Sequence, residues 1–209
     1  MSRYLGSACK LCRREKEKLF LKGEKCSSNC TMDKKRGKNP PGQHGTIKSK
    51  MSDYGKHLRE KQKARRIYGL TEEQFRHHYD EANKIKKGIT GENFLRILEL
   101  RLDNVVYRAG LAASRKQARQ MVNHGNVVVD GKKTTVPRYK VAVGSKITVG
   151  EKYKASPTLK KLLERTSSQT PSWISFDKNA ASCTLVSEPL AGEFSHPIDS
   201  QLIVEYYSK

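Results

Sequence analysis

The sequence predicts an α+β protein in which helices fill the first half and a small antiparallel sheet follows. Three observations lead there. Apolar residues recur at helical spacing behind cap signals between residues 52 and 110. A capped helix at Ser114 runs directly into a hydrophobic strand turned by Asp130-Gly131. Short strand-like runs separated by turn residues occupy much of the remainder. A length of 209 residues allows one or two domains, and 35% hydrophobic content is enough for one or two modest cores.

Residues 1–50 read as an irregular arm. They combine four cysteines, the run Lys34-Lys35-Arg36-Gly37-Lys38 and the segment Asn39-Pro40-Pro41-Gly42-Gln43-His44-Gly45, whose prolines and glycines exclude a helix or central strand. A helix over 52–68 starts at the Ser52-Asp53 cap and carries Lys56, Arg59, Lys61, Lys63, Arg65 and Arg66. Thr71-Glu72-Glu73-Gln74 is a capping box for a second helix with Phe75, Tyr79 and Ala82 on one face and His77 and His78 as surface residues. Gly88, Thr90 and Gly91 break it. A third helix carries Phe94, Leu95, Leu98 and Leu102, and the pattern continues through Val105, Val106, Tyr107 and Ala109 to Gly110. These apolar positions are core.

Ser114 N-caps the next helix and Gln117 completes its capping box. Ala118, Met121 and Val122 form the inward stripe, leaving Arg115, Lys116 and Arg119 to face outward. Past Gly125, strands are expected at Val127–Val129, Thr134–Val136, Val141–Gly144 and Lys146–Gly150. Ser156-Pro157 opens a short helix through Leu159, Leu162 and Leu163. Trp173–Phe176, Cys183–Val186 and Leu202–Val204 finish the chain as strand-like pieces.

Charge indicates the partner. Lys and Arg number 42 against 21 Asp and Glu, a net charge of +21. Such an excess repels itself when folded, and a polyanion relieves it. Residues 1–90 hold 24 basic and 10 acidic residues, residues 91–166 hold 16 and 6, and residues 167–209 hold 2 and 5. The polyanion therefore lies against the first four-fifths of the chain. No run of ~18 apolar residues provides a transmembrane helix, and Met1–Gly6 lacks the apolar stretch of a secretory signal. Amphipathic helices with bulky apolar faces are also missing, so no membrane partner is expected and the location is cytoplasmic.

Cys9-x-x-Cys12, thirteen residues, then Cys26-x-x-x-Cys30 is the strongest chemical motif. Two close pairs at this separation let four thiolates meet tetrahedrally around Zn²⁺, as a structural centre with no open position. Lys10, Arg13, Arg14, Lys22 and Lys25 are expected to lower the thiol pKa values. A four-cysteine iron–sulfur cluster is the alternative metal form. Disulfides are the other alternative, disfavoured in a cytoplasmic protein. Cys183 stands alone as a small buried hydrophobe.

Three stretches together resemble the family of bacterial small-subunit ribosomal protein four. They are Met1-Ser2-Arg3-Tyr4-Leu5-Gly6; the Asn39–Gly45 loop with Ser52-Asp53-Tyr54-Gly55; and Leu100–Gly110 joined to the Ser114–Lys133 segment. The last is similar to the small RNA-binding domain named after that family, which also occurs in RNA-modifying enzymes and a tRNA synthetase. The resemblance implies a structural, non-enzymatic primary binder of 16S rRNA. It would grip a 5′-domain junction, nucleate small-subunit assembly, lie beside small-subunit ribosomal protein five, line the mRNA entry region and contribute to decoding accuracy. It also implies the metal-bearing form of the family and a particular α+β layout. A helical first domain (51–95, joined by residues 198–209) follows a metal-bound N-terminal arm (1–50). An inserted small α/β RNA-binding domain with antiparallel sheet (96–197) contains the module at about 98–160.

Junction RNA is read through backbone shape, phosphates and 2′-hydroxyls, and arginine forks suit phosphate. One expected RNA surface comprises Arg3, Tyr4, Arg13, Arg14, Lys35, Arg36, Gln43, His44, Tyr54, Lys56, Arg59, Lys63 and Arg66. The other comprises Arg115, Lys116, Gln117, Arg119, His124, Asn126 and Lys132. An RNA-acting enzyme is the first rival, weakened by the lack of a phosphate-cradling loop or a nucleophile–base pair. A zinc-dependent DNA-binding regulator is the second, weakened by the lack of a recognition helix in the cysteine arm, so no DNA partner is expected.

Overall fold

The computed structural model describes residues 4–37, 39–46, 50–165, 170–194 and 196–208. The chain forms two compact units, Met1–Phe94 with His196–Lys209, and Leu95–Ser195. Arg3 lies outside the described residues, as does the side chain of Arg36.

The first unit contains α1 (Ala8–Glu15), α2 (Glu24–Ser28), α3 (Asp53–Ile67), α4 (Glu72–Asn83), the start of α5 (Thr90–Glu99) and α10 (Ser200–Ser208). The arm is thus more regular than its composition suggests: Cys9 and Cys12 lie one turn apart within a helix. Both N-caps hold, although the helix at Thr71 shows only the N-cap half of the expected capping box. Ser52 Oγ accepts from the Gly55 amide and Thr71 Oγ1 from the Gln74 amide, satisfying donors that each first turn leaves open. Phe75 meets Phe94 edge to face at 4.9 Å, and Tyr79 stacks on Tyr207 at 4.6 Å.

Four expectations are corrected here. Leu202–Val204 is not a strand but part of α10, which packs along α3 with Ile203 fully buried. Burial of that side chain contributes about 1.5–3 kcal/mol, which outweighs the weak strand preference of two β-branched residues. Gly91 does not break a helix. It sits in the first turn of α5, where a Cβ would come within 2.6 Å of Ser200 Oγ, so its lack of a side chain permits close approach to α10. His78 is buried. The third helix ends at Glu99, because Arg101 is extended and bridges Lys140 before α6 (Leu102–Arg108) begins.

The second unit contains α6, α7 (Arg115–Asn123), α8 (Glu151–Lys154), α9 (Pro157–Arg165) and five antiparallel strands. These are β1 (Val127–Val129), β2 (Lys132–Lys133), β3 (Lys146–Val149), β4 (Ile174–Asp177) and β5 (Ser182–Leu185), in the order β2-β1-β3-β5-β4. Asp130 and Gly131 have φ of 47° and 78°, the paired left-handed conformation of a tight two-residue hairpin. Thr134–Val136 and Val141–Gly144 are loops, not strands. The loop instead caps α6, with the Leu102 and Asp103 amides donating to Tyr139 O and Pro137 O, and Val141 N donating to Leu100 O. One face of the sheet joins α6 and α7 in a core that includes Val106, Leu111, Ala118, Val122, Ile147, Trp173 and Leu185, with Cys183 among them. Burial pushes the Cys183 thiol up to about 12, so it behaves as an apolar side chain.

Candidate RNA interface

In the first unit, many predicted RNA ligands hold the protein together. Glu15, whose side chain is 2% exposed, receives both Arg59 and Arg66 from α3. Burial raises the Glu15 carboxyl above its ordinary range, while the two guanidiniums pull it down. Lys63 pairs with Glu17 at 2.8 Å and Glu60 at 3.3 Å and donates to Pro197 O. Lys61, also buried, pairs with Glu72. Arg13 donates to the carbonyls of Asn39 (2.9 Å) and Pro40 (3.2 Å). Arg59, Lys63 and Arg66 read as RNA ligands from sequence because Glu15 and Glu17, which the fold brings to them, lie more than 40 positions away and leave no trace in local composition. What does face solvent is Tyr4, Arg14, Lys35, Gln43, His44 and Tyr54, with Lys56 exposed and paired to Asp53.

None of the five cysteines is bonded to another. Cys12, Cys26 and Cys30 are buried and Cys9 is partly so. Cys26 Sγ accepts the Lys22 amide at 3.3 Å, and Cys12 is hydrogen-bonded by the Leu19 backbone. Burial raises the Cys12 thiol, and the other three cysteines add to that; for this thiol the expected lowering by nearby lysines and arginines is overturned, because desolvation dominates. Among the described residues, no three His, Cys, Asp or Glu side chains converge closely enough to hold a metal ion.

In the second unit, the Ser114 helix has the expected N-cap and inner face, but Gln117 turns to the Ala113 amide and does not complete the expected capping box. Ser114 Oγ accepts from Gln117 N at 3.3 Å. The outward reading of Arg115 and Arg119 is corrected. Arg115 is buried: its Nε donates to Asn104 Oδ1 at 2.8 Å and its guanidinium lies 4.5 Å from the Tyr107 ring. Asn104 Nδ2 in turn donates to the backbone oxygen (2.9 Å) and Oε2 (2.7 Å) of fully buried Glu99. Arg108 Nε approaches the same Oε2 at 3.6 Å. Arg119 Nε lies 3.2 Å from Asp103 Oδ2, and Arg101 grips the same carboxylate through two bonds of 3.2 and 3.1 Å. Gln117 is also engaged, since its Oε1 accepts the Ala113 amide and its Nε2 reaches Tyr153 Oη. Buried charges persist only where partners satisfy them. Here the carboxylates of Glu99 and Asp103 and the amide of Asn104 fix Arg101, Arg108, Arg115 and Arg119, and α7 is thereby set rigidly on α6.

The solvent stripe of α7 is therefore Lys116, Gln120 and His124, spaced four apart. Asn126 is half-buried. Lys132 and Lys133 on β2, Arg138 and Lys140 in the loop after it, and Lys146 at the start of β3 are also exposed. Lys133 lies across Gly125: a Cβ there would collide with its Cε, next to the C-terminus of α7, whose partial negative charge favours a cation. Lys133, Arg138 and Lys140 were missed from sequence because they follow no single period, whereas Gln120 sits at helical spacing between Lys116 and His124 and was legible there. The signal for the buried network was present, however: Glu99, Arg101, Asp103 and Asn104 interrupt the otherwise apolar stretch Leu98 to Val106, where an unpaired charge is not tolerated.

A helix–sheet body braced by internal ion pairs, with exposed lysines on its surface, defines a basic domain suited to a folded polyanion. Comparison with known proteins narrows that class. Residues 3–99 match the ribosomal protein S4/S9 N-terminal domain and residues 100–147 match the S4 domain. The chain is 68% identical to the small ribosomal subunit protein uS4 of Endomicrobium trichonymphae, 52% to that of Acetivibrio thermocellus and 49% to that of Desulforamulus reducens, each over the full length of both chains. It belongs to the small ribosomal subunit protein uS4 family.

Proposed function

We propose that this chain is a structural constituent of the small ribosomal subunit that binds 16S rRNA in the cytoplasmic ribosome. The full-length 68% identity to a small ribosomal subunit protein carries the assignment. A net charge of +21 and the Lys116–His124 stripe with the other exposed lysines supply the physical means. It is a structural protein, not an enzyme. No described helix is long and apolar enough to cross a membrane.

The finer reading is a primary binder at a 5′-domain junction that nucleates subunit assembly, lies beside small-subunit ribosomal protein five, lines the mRNA entry region and contributes to decoding accuracy. The test is binding of the full chain to a 16S 5′-domain transcript against duplex DNA of equal charge, with co-sedimentation on small subunits through a high-salt wash. Preference for the transcript and retention through the wash are expected. Equal binding to DNA, or cleavage or modification of the RNA, overturns the assignment.

Cys9, Cys12, Cys26 and Cys30 would hold a structural Zn²⁺, with an iron–sulfur cluster as the lesser alternative. The support is a donor set of four free thiols, three of them buried, two already accepting backbone hydrogen bonds. Bound metal would supply folding free energy to the arm and no chemistry. Elemental analysis of the purified chain should find one zinc per chain, and chelation should speed amide exchange in residues 4–46 alone. Metal-free protein with an unchanged arm refutes the centre.

A further inference from the structure

We propose that Arg13 does not bind RNA but is the positioning residue that presents the Asn39–Gly45 loop, tying Gln43 and His44 to the cysteine-bearing helix; this rests on the rRNA-binding function above. Arg13 extends from α1, directly after buried Cys12. Its Nε and Nη2 take two successive carbonyls, Asn39 O at 2.9 Å and Pro40 O at 3.2 Å. Carbonyls on either side of the Asn39–Pro40 bond are natural partners for a planar two-donor fork, and proline offers no amide with which the loop could anchor itself.

The loop folds back on the same carbonyl. Gly45 packs so closely that a Cβ there would collide with Pro40 O, and its amide donates to Gly42 O at 3.3 Å. Pro40 O is thus the point on which the loop closes, gripped by Arg13 on one side and covered by Gly45 on the other. Gln43 and His44, at the tip between these contacts, are exposed. Their side chains bear donors and an aromatic face toward solvent, whereas the Arg13 fork is spent on the backbone.

The same eight-residue helix carries Cys9 and Cys12 and places Glu15 on α3 through Arg59 and Arg66. Order at the cysteines therefore passes to the loop through Arg13 and to α3 through Glu15. A single short helix thereby holds the loop and α3, whose contact points lie 26 and 44 positions away in the chain.

The experiment compares Arg13→Ala, Arg13→Lys, Gly45→Ala and the Arg13→Ala/Gly45→Ala double variant of the full chain, by amide exchange and by affinity for the 16S 5′-domain transcript. Gly45→Ala distorts the loop from the far side and leaves α1 untouched, so it reports even if Arg13→Ala loosens the arm. Each single alanine variant should bind about tenfold more weakly, and the double variant should also bind only about tenfold more weakly, because both disrupt one element. Exchange at the amide of position 45 should rise by about tenfold or more in both singles while α3 amides are unchanged. Arg13→Lys, which keeps the charge but not the fork, should behave nearer to alanine than to the native protein. A double variant about a hundredfold weaker, or full affinity in Arg13→Lys, would make Arg13 an independent RNA contact and overturn the proposal. If the native chain shows no preference for the transcript, the functional assignment fails; the exchange measurements still decide the positioning role.

Discussion

Replacing Asp103 with asparagine tests the central feature of the second unit, a carboxylate shared by two arginines inside an apolar body. Asp103 is 5% exposed and Arg101 3%, and three charged hydrogen bonds of 3.1–3.2 Å converge on the two carboxylate oxygens. Asn preserves the shape but removes the charge, and it turns an amide NH₂ toward a guanidinium that has nothing to accept. Hydrogen bonds to charged groups contribute about 1.5–3 kcal/mol each, and leaving one partner of a buried pair uncompensated costs about 3–5 kcal/mol. Since one acceptor survives, a loss of about 3 kcal/mol is expected. Trp173, the chain's one tryptophan, is fully buried in the same core, so its fluorescence reports this unit. With a urea dependence of about 1.5 kcal/mol per molar for a unit of roughly a hundred residues, the unfolding midpoint should fall by about 2 M. Adding Arg119→Gln to Asp103→Asn should cost less than the sum of the two single changes by about 1 kcal/mol, because the arginine no longer needs its partner. A midpoint shift under about 0.3 M, or simple additivity, would show that the carboxylate does not neutralise the buried guanidiniums.

Three further outcomes are expected. Ile203→Ala should destabilise the first unit by about 2–4 kcal/mol, seen as faster amide exchange in α3; exchange there equal to the native protein's would mean that α10 does not hold it. The α10 contact should also be sensitive to acid and alkali. Burial pushes the Glu72 carboxyl up, but hydrogen bonds from Lys61 and Tyr207 prevail and leave it below its ordinary value. Its stabilisation is therefore present above the ordinary carboxylate value of about 4.3 and lost as pH falls below it. Tyr207 is raised, first by burial and then by Glu72, so its contribution is complete below about pH 10 and lost as pH rises further. Near-UV circular dichroism of Glu72→Gln should show a flatter acid limb; an unchanged limb refutes the pairing. Finally, Lys116→Ala with Lys133→Ala should make the salt dependence of RNA binding shallower by roughly 0.7–0.9 for each phosphate no longer neutralised. Arg115→Ala should instead lower stability in Trp173-monitored unfolding and leave the salt slope nearly unchanged. The reverse pattern would return Arg115 to the interface.

Local signals were reliable where short-range chemistry decides the structure. The N-caps at Ser52, Thr71 and Ser114, the Asp130-Gly131 turn, and the inward stripe Ala118, Met121 and Val122 each depend on residues within four positions of one another and are found as read; the return bonds expected of Gln74 and Gln117 are not. Strand assignments failed at Val141–Gly144 and Leu202–Val204 for a common reason. Short apolar runs are ambiguous; one became a loop that buries Val141 and bonds it to Leu100 O, and the other a helix docked on α3. The candidate interface was legible as a basic region but not residue by residue, since a guanidinium's choice between phosphate and carboxylate depends on what the fold brings beside it.

From the amino acids alone came the polyanion partner, the four-cysteine arm, the family resemblance and the helix–turn–strand core of the second unit, because charge, spacing and capping are local or additive quantities. Only the tertiary structure separated cations that bind from cations that brace. Arg59, Lys63, Arg66, Arg115 and Arg119 meet carboxylates or amides that the fold brings to them, while Lys116, Lys132 and Lys133 remain at the surface. The physical reason is desolvation: a charge leaves water only where a counter-charge already waits, and that arrangement exists only once the chain has folded.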